Sequence, residues 1–249
     1  GIIPEDILAA MAVDVLRGLD YLHNVRHLLH RDLKPSNLLF HIDSGCIKIS
    51  DFGVSSALDH DLGAAQSFIG TVTYMSPERL KGDRYGYAGD VWSFGIAIAE
   101  LAMGNHPYAR LTASGGSSEA KFWALMQHLN ASSENEAAIE FAPTMSAELA
   151  DFLGKCLCKD PALRPPAEEL LKHIWVQSIA SQDPDVLHSR TSAWMKNFRE
   201  GKSSGAAGSS TGSATAAASG RGSTEPSTTK VAAVNLDNAL SRLIDIRKR

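Results

Sequence analysis

The sequence predicts a mainly α-helical α+β domain with one small β-hairpin, followed by a tail that cannot build a core of its own. Three observations carry this expectation. Apolar residues recur at helical spacing near the start, the segment AGDVWSFGIAIAELAMG at 88–104 is apolar on nearly every face, and residues from about 201 to 230 are almost entirely Gly, Ser, Ala and Thr. With 249 residues, 44% of them hydrophobic, the chain has ample material for a buried core.

Pro4 suits the first position of a helix and Glu5 and Asp6 suit its positive end, after which Ile7, Leu8, Met11, Val15, Leu19 and Leu22 recur at helical spacing. An amphipathic helix ending near His23 follows. Beyond the stretch HRDLKPSN at 30–37, the apolar runs LLF and CIKIS flank the turn DSG and predict a hairpin. Residues 51–87 are rich in Gly, Ser and Asp without a sustained period, which predicts a long loop of the kind kept for function. Segment 88–104 is too short for a membrane span and predicts a central core helix. Further helices are expected near 119–130, 146–158 and 167–176. The boundaries expected are a domain over 1–177, a low-complexity linker over 178–230 and an amphipathic segment over 231–249. In that last segment Leu236, Leu240, Leu243, Ile244 and Arg247 would share one helical face.

Composition excludes several classes of function. No apolar run reaches the roughly 18 to 20 residues of a membrane span, and the opening GIIPED has no basic region followed by an apolar one. An intracellular, cytoplasmic location is expected, with the nucleus as a second compartment. Residues 1–177 carry 14 Lys/Arg against 22 Asp/Glu and residues 178–249 carry 10 against 6, neither of which favours nucleic acid. Cys46, Cys156 and Cys158 are odd in number and form no CxxC, so core packing is expected of them rather than disulfides or zinc.

The chemistry concentrates in HRDLKPSN. Transferring a phosphoryl group asks a protein for an aligned hydroxyl, divalent metal on the phosphates, and positive charge where negative charge accumulates. Asp32 can accept or orient the proton of the incoming hydroxyl, Lys34 can neutralise the transferring phosphate, and Asn37 offers magnesium a hard oxygen. Asp51, in the DFG just past the hairpin, is the expected second metal ligand. Asp32 and Lys34 are thus the candidate catalytic residues.

With HRDLKPSN, DFG, SPE, DVWSFG and DPALRP in that order, residues 2–177 resemble the large helical lobe of a eukaryotic protein kinase. The resemblance implies a protein-kinase-like α+β fold, reduced to the C-terminal lobe and followed by a disordered tail, with ATP and Mg2+ as cofactors. It places Lys34, Ser36, Asn37, Leu39 and Asp51 on the nucleotide, Leu39 as the floor under adenine, and Asn37 and Asp51 on the metal. It also implies that Asp90 braces the catalytic loop and that Glu78 pairs with Arg164. Lys34 at that place is the serine/threonine form of the loop, with dual specificity open.

The segment VSSALDHDLGAAQSFIGTVTYMSPERL resembles the activation segment of MAP kinase kinases, and YLH…HRDLKPSNLLF and IKISDFGVS point the same way. This implies a dual-specificity kinase acting on the Thr and Tyr of a MAP kinase activation loop, itself activated by an upstream MAP kinase kinase kinase. The alternatives are an upstream Ser/Thr kinase of the same group and a non-catalytic decoy form. Ser67 matches the second activating phosphosite of that family, while the first falls on Asp61 or Gly63, neither of which can be phosphorylated. Arg31 is placed to pair with a phosphate on the loop, and Thr71 to shape the pocket beyond the target hydroxyl. No GxGxxG precedes a VAIK-like strand in the 249 residues. The expectation is therefore a chain lacking the small ATP-binding lobe and inactive by itself.

Overall fold

Residues 3–51, 72–113, 117–131, 138–206 and 244–245 are described by the computed structural model. Helix α1 spans Glu5–Asp20, with Pro4 one residue earlier than expected, as the N-cap. It is not amphipathic in the ordinary sense: every residue from Ile7 to Val13 is buried, and so are Val15, Leu16 and Leu19. Ala9, Ala10 and Ala12 keep its girth small, so neighbours close in on several sides. Beyond Asp20 the turns widen into a π-helix over Tyr21–Val25, which ends the element near the expected place.

A 3-10 turn at Pro35–Asn37 leads into β1 (Leu38–Phe40), and β2 (Ile47–Ile49) returns antiparallel with Leu39 opposite Lys48. This is the predicted hairpin. Its turn is held by Gly45, whose φ of 74° suits a residue without a Cβ. The segment expected to be a long loop, 51–87, contains a short helix, α2 (Pro77–Leu80), begun by the Ser-Pro pair.

Helix α3, Tyr87–Met103, is buried continuously from Gly89 to Ala102, the central core helix that its all-round apolar sequence predicts. It stops at Gly104, which adopts φ 73° and donates its N–H to the Glu100 carbonyl at 2.8 Å. Next come α4 (Ala109–Ala113), α5 (Ser118–Ala131) and α6 (Ala147–Cys156). Ser146 caps α6 by accepting the Leu149 N–H at 3.1 Å, and it ties α6 to α1 by donating through N and Oγ to Glu5 at 2.8 and 2.6 Å. The helix expected over 167–176 is two, α7 (Ala167–Leu170) and α8 (Ile174–Ala180), with His173 as the N-cap of the second.

Two expectations about the tail need correction. Residues 178–206 are not linker: α8 runs to Ala180 and α9 occupies Pro184–Ala206. Leu187, Thr191 and Met195 lie one helical turn apart and are buried, with Trp194 and Phe198 packed partly against the core. The helix pattern was present but diluted by polar neighbours. Within the C-terminal segment, Ile244–Asp245 form a strand, β3, rather than helix, parallel to β1 with Leu39 opposite Ile244. A short terminal helix is marginal alone, whereas the open edge of β1 offers unpaired backbone groups. The sheet order is β2-β1-β3.

Helix α1 is the hub, in contact with α3, α7, α8, α9 and β2, while α3 packs against α6. Gly95 of α3 permits that second approach, since a Cβ there would lie 2.8 Å from the Cys156 Cβ. Among the described residues, no helix is long and apolar enough to cross a membrane.

Candidate active site

The catalytic loop hangs from one buried carboxylate. Asp90, in the first turn of α3, accepts four hydrogen bonds: Oδ2 from the His30 N–H at 2.8 Å and the His23 ring at 2.9 Å, Oδ1 from the Arg31 N–H at 2.9 Å and the Tyr85 hydroxyl at 2.6 Å. Burial by itself would raise the Asp90 pKa, but the His23, Tyr85, His30 and Arg31 donors together hold it below the ordinary carboxylate value. The loop bends accordingly. Arg31 takes φ 69°, a left-handed conformation unusual for a residue with a Cβ and one that needs support from its surroundings.

His30 is fully buried and connects this loop to the strand end before Asp51. Its Nδ1 accepts the Asp32 N–H at 3.3 Å, so Nε2 carries the proton and donates to the Ser50 carbonyl at 2.7 Å. Ser50 in turn donates its N–H and its hydroxyl to the Asn37 carbonyl, at 2.9 and 3.1 Å. The chain segments bearing Asp32, Asn37 and Asp51 are thereby tied to one another.

Within that frame the side chains converge. Lys34 Nζ lies 2.9 Å from Asp32 Oδ2, with both side chains about a fifth exposed. Asn37 Nδ2 donates to the Asp32 carbonyl at 2.7 Å and to Asp32 Oδ2 at 3.1 Å. Two consequences follow. Among the described residues the contacts of the Asp32 carboxylate fall on Oδ2, and none on Oδ1. Asn37 spends its amide protons on Asp32, so its carbonyl oxygen is the group left for a metal. Asp51 is exposed with φ 61°, and its Oδ2 lies 3.4 Å from the Ser50 hydroxyl oxygen.

A carboxylate and an amide oxygen are hard donors that fit magnesium, an ion that keeps several waters and takes few protein ligands, so Asn37 and Asp51 suit it. Leu39 is half-buried between buried Leu38 and Phe40, and alternation along β1 turns it to the opposite face from that core pair. Ser36 lies half-buried in the turn just before it. Arg31 is half-buried, and among the described residues its guanidinium makes no ion pair. Ser67, Thr71, Asp61 and Gly63 lie outside the described residues.

Glu78 and Arg164 meet as the resemblance implies. Arg164 NH1 and NH2 reach the two Glu78 oxygens at 2.7 and 2.8 Å, and the guanidinium lies 5.0 Å from the centre of the Trp92 ring. Both residues are buried; burial opposes the Glu78 charge, but Arg164 keeps its pKa below the ordinary value. Three contacts were not anticipated from the sequence. Arg79 donates to the Arg31 carbonyl and covers the Tyr85 ring, and Tyr85 supplies the fourth bond to Asp90. The only trace of them in the sequence is an Arg directly after SPE and a Tyr five residues before the Asp of DVW.

A family model described as the protein kinase domain matches residues 1–176. The chain belongs to the protein kinase family. This kinase domain is 52% identical over 184 residues to mitogen-activated protein kinase kinase 5 of Leishmania mexicana, covering 74% of this chain and 34% of that one. It is 43% identical over 182 residues to mitogen-activated protein kinase kinase 1c of Physcomitrium patens, covering 73% and 51%. Mitogen-activated protein kinase kinase 3 of Arabidopsis thaliana is 42% identical over 184 residues, covering 74% and 33%. The kinase chain therefore spans between about a third and a half of the length of these relatives.

Proposed function

We propose that this chain is the large lobe of a dual-specificity kinase of the MAP kinase kinase type, which transfers the γ-phosphate of ATP to the Thr and Tyr of a MAP kinase activation loop. The observation that carries the reading is the convergence of Lys34 and Asn37 on Asp32, linked through Ser50 to the segment bearing Asp51. The similarity to MAP kinase kinases supports the substrate class.

In this reading Asp32 Oδ1 accepts the hydrogen bond of the target hydroxyl and aligns its oxygen, while Lys34 and Asn37 hold the other carboxylate oxygen still. Lys34 sets positive charge beside the path of the transferring group. Asn37 and Asp51 would hold Mg2+, which supplies charge neutralisation on the phosphates when bound. Ser36 and Leu39 line the nucleotide side and Thr71 the pocket beyond the hydroxyl. Ser67 is the site on which an upstream MAP kinase kinase kinase acts, and Arg31, without an acidic partner among the described residues, is available to the phosphate it would gain.

The test compares two proteins with magnesium-ATP and a MAP kinase whose activation-loop Thr and Tyr are scored separately. The 249 residues alone should transfer no measurable phosphate, because no glycine-rich phosphate loop precedes the catalytic motifs in them. The same residues behind a nucleotide-binding lobe should label both positions. Labelling of serine alone, or none by the longer protein, would overturn the reading.

A further inference from the structure

Asp90 grips the catalytic loop from one side only. Its carboxylate takes the N–H groups of His30 and Arg31, which anchors the amino end of the residue preceding Asp32. Arg31 also has a carbonyl end, and that carbonyl is the start of the peptide unit whose nitrogen belongs to Asp32. That peptide's N–H, on Asp32, has only the long 3.3 Å bond to His30 Nδ1, so without a hold on the Arg31 carbonyl the left-handed residue can relax by rotating the peptide, and this would swing the Asp32 carboxylate away from Lys34 and Asn37.

We propose that Arg79 and Tyr85 are positioning residues of the catalytic loop, fixing Arg31 at both ends and thereby setting the direction of Asp32. The Arg79 guanidinium donates to the Arg31 carbonyl. The guanidinium carbon lies over the Tyr85 ring, 5.0 Å from the ring centre, which limits where the guanidinium can point. Tyr85 closes the circuit by donating its hydroxyl to the same Asp90 oxygen that accepts the Arg31 N–H, at 2.6 Å.

The result is a closed ring of contacts, from Arg31 N–H to Asp90, to Tyr85, to Arg79 and back to the Arg31 carbonyl. Each partner comes from a different stretch of chain: Arg79 from α2, Tyr85 from the turn before α3, and Asp90 from α3 itself. The position of α2 is itself held by the buried Glu78–Arg164 pair one residue before Arg79. The ring therefore ties the geometry of the SPE segment to that of the catalytic aspartate. Burial and the neighbouring Asp90 charge keep the Tyr85 hydroxyl protonated, well above its ordinary pKa, so it remains a donor throughout the working range.

The kinetic half of the test rests on the proposed phosphoryl transfer; the structural half does not. In the 249-residue chain, hydrogen–deuterium exchange is followed for peptides covering residues 28–34, with α6 as the internal control. Arg79→Met, which keeps an apolar stem over Tyr85 but donates nothing, should speed exchange in 28–34 by about tenfold and leave α6 unchanged. Arg79→Lys should restore part of that protection, and Tyr85→Phe should lose less than Arg79→Met.

With a nucleotide-binding lobe joined ahead of these residues, Arg79→Met should lower kcat by at least about tenfold with KM for ATP within about twofold, and Arg79→Lys should recover part of the loss. Unchanged exchange in 28–34, or equal acceleration in α6, would overturn the proposal. So would a loss that appears in KM rather than kcat, or one that Arg79→Lys leaves unrelieved. Absence of phosphate transfer by the unsubstituted enzyme would overturn the proposed function while the exchange comparison still decides the positioning.

Discussion

Asp32 and Asp51 are both carboxylates, yet their surroundings differ, and the proposed function assigns them different work. Asp32 is half-enclosed by Lys34 and Asn37, whereas Asp51 is exposed at a strand end with a left-handed backbone. With a nucleotide-binding lobe joined ahead of these residues, the proposed reading predicts that Asp32→Asn lowers kcat by about 100- to 10,000-fold while nucleotide affinity holds, because the proposed base and orienter is lost and the oxygens proposed for the metal remain. Asp51→Asn should weaken magnesium-nucleotide binding as well, and titration calorimetry beside turnover separates the two. Glu78 and Asp90 contribute to the pH dependence at the acid end. Both have folded pKa values below the ordinary 4.5 and 3.8, so the stability they contribute is complete above those values and drains as pH falls through the lower folded ones. Melting temperature followed below pH 4.5 should fall, and Glu78→Gln should flatten that fall while lowering stability at neutral pH, since it leaves Arg164 buried and without its anion.

At the level of elements, the contact of α9 with the hairpin turn is the feature that extends the fold beyond the end of the matched kinase domain at 176. Ser192 Oγ donates to the Ile42 carbonyl at 2.6 Å, and the His188 ring lies 3.0 Å from Asp14, whose Oδ2 also accepts the Ile47 N–H at 2.9 Å. Gly45 makes the approach possible, for a Cβ there would fall 1.8 Å from the His188 carbonyl oxygen, and φ of 74° is unfavourable to a side chain in any case. Gly45→Ala should therefore destabilise the domain by more than the roughly 1 kcal/mol of the backbone effect alone. Chemical denaturation measures it, and a loss smaller than that would mean α9 readily moves aside. The helix escaped the sequence reading because Ser, Thr, His, Lys and Asn separate its apolar positions, so the stripe of Leu187, Thr191 and Met195 is recognisable only once α1 and the hairpin are there to cover it.

For the molecule as a whole, the C-terminal segment returns to the sheet that carries Leu39. Two residues of parallel pairing contribute little energy, but they cover backbone groups at the edge of β1. Deleting residues 231–249 should leave unfolding free energy within about 1 kcal/mol while amide exchange at Phe40, whose N–H lies on the β3 side of β1, accelerates by about tenfold and that at Leu39, which faces β2, holds. Mass spectrometry on the peptide containing β1 reads this directly, and unchanged exchange would mean the pairing contributes no protection. Acceleration confined to β1 would show that the segment closes the sheet without supporting the helical core.

The sequence by itself determined what depends on near neighbours. The periodicity of α1, the all-round apolar α3, the hairpin around Asp43–Gly45 and the clustering of Asp32, Lys34 and Asn37 all follow from residues within a few positions of one another, where spacing translates directly into geometry. The ordered motifs added Asp90 and the Glu78–Arg164 pair through resemblance. Tertiary structure alone decided the left-handed Arg31, the four donors gathered on Asp90, the Arg79 and Tyr85 contacts, the docking of α9 and the pairing of β3 with β1. Each of these joins residues far apart in sequence or satisfies a polar group that only burial makes costly. No local pattern records that cost, because a carboxylate such as Asp90 needs its full set of partners only after the core has closed over it.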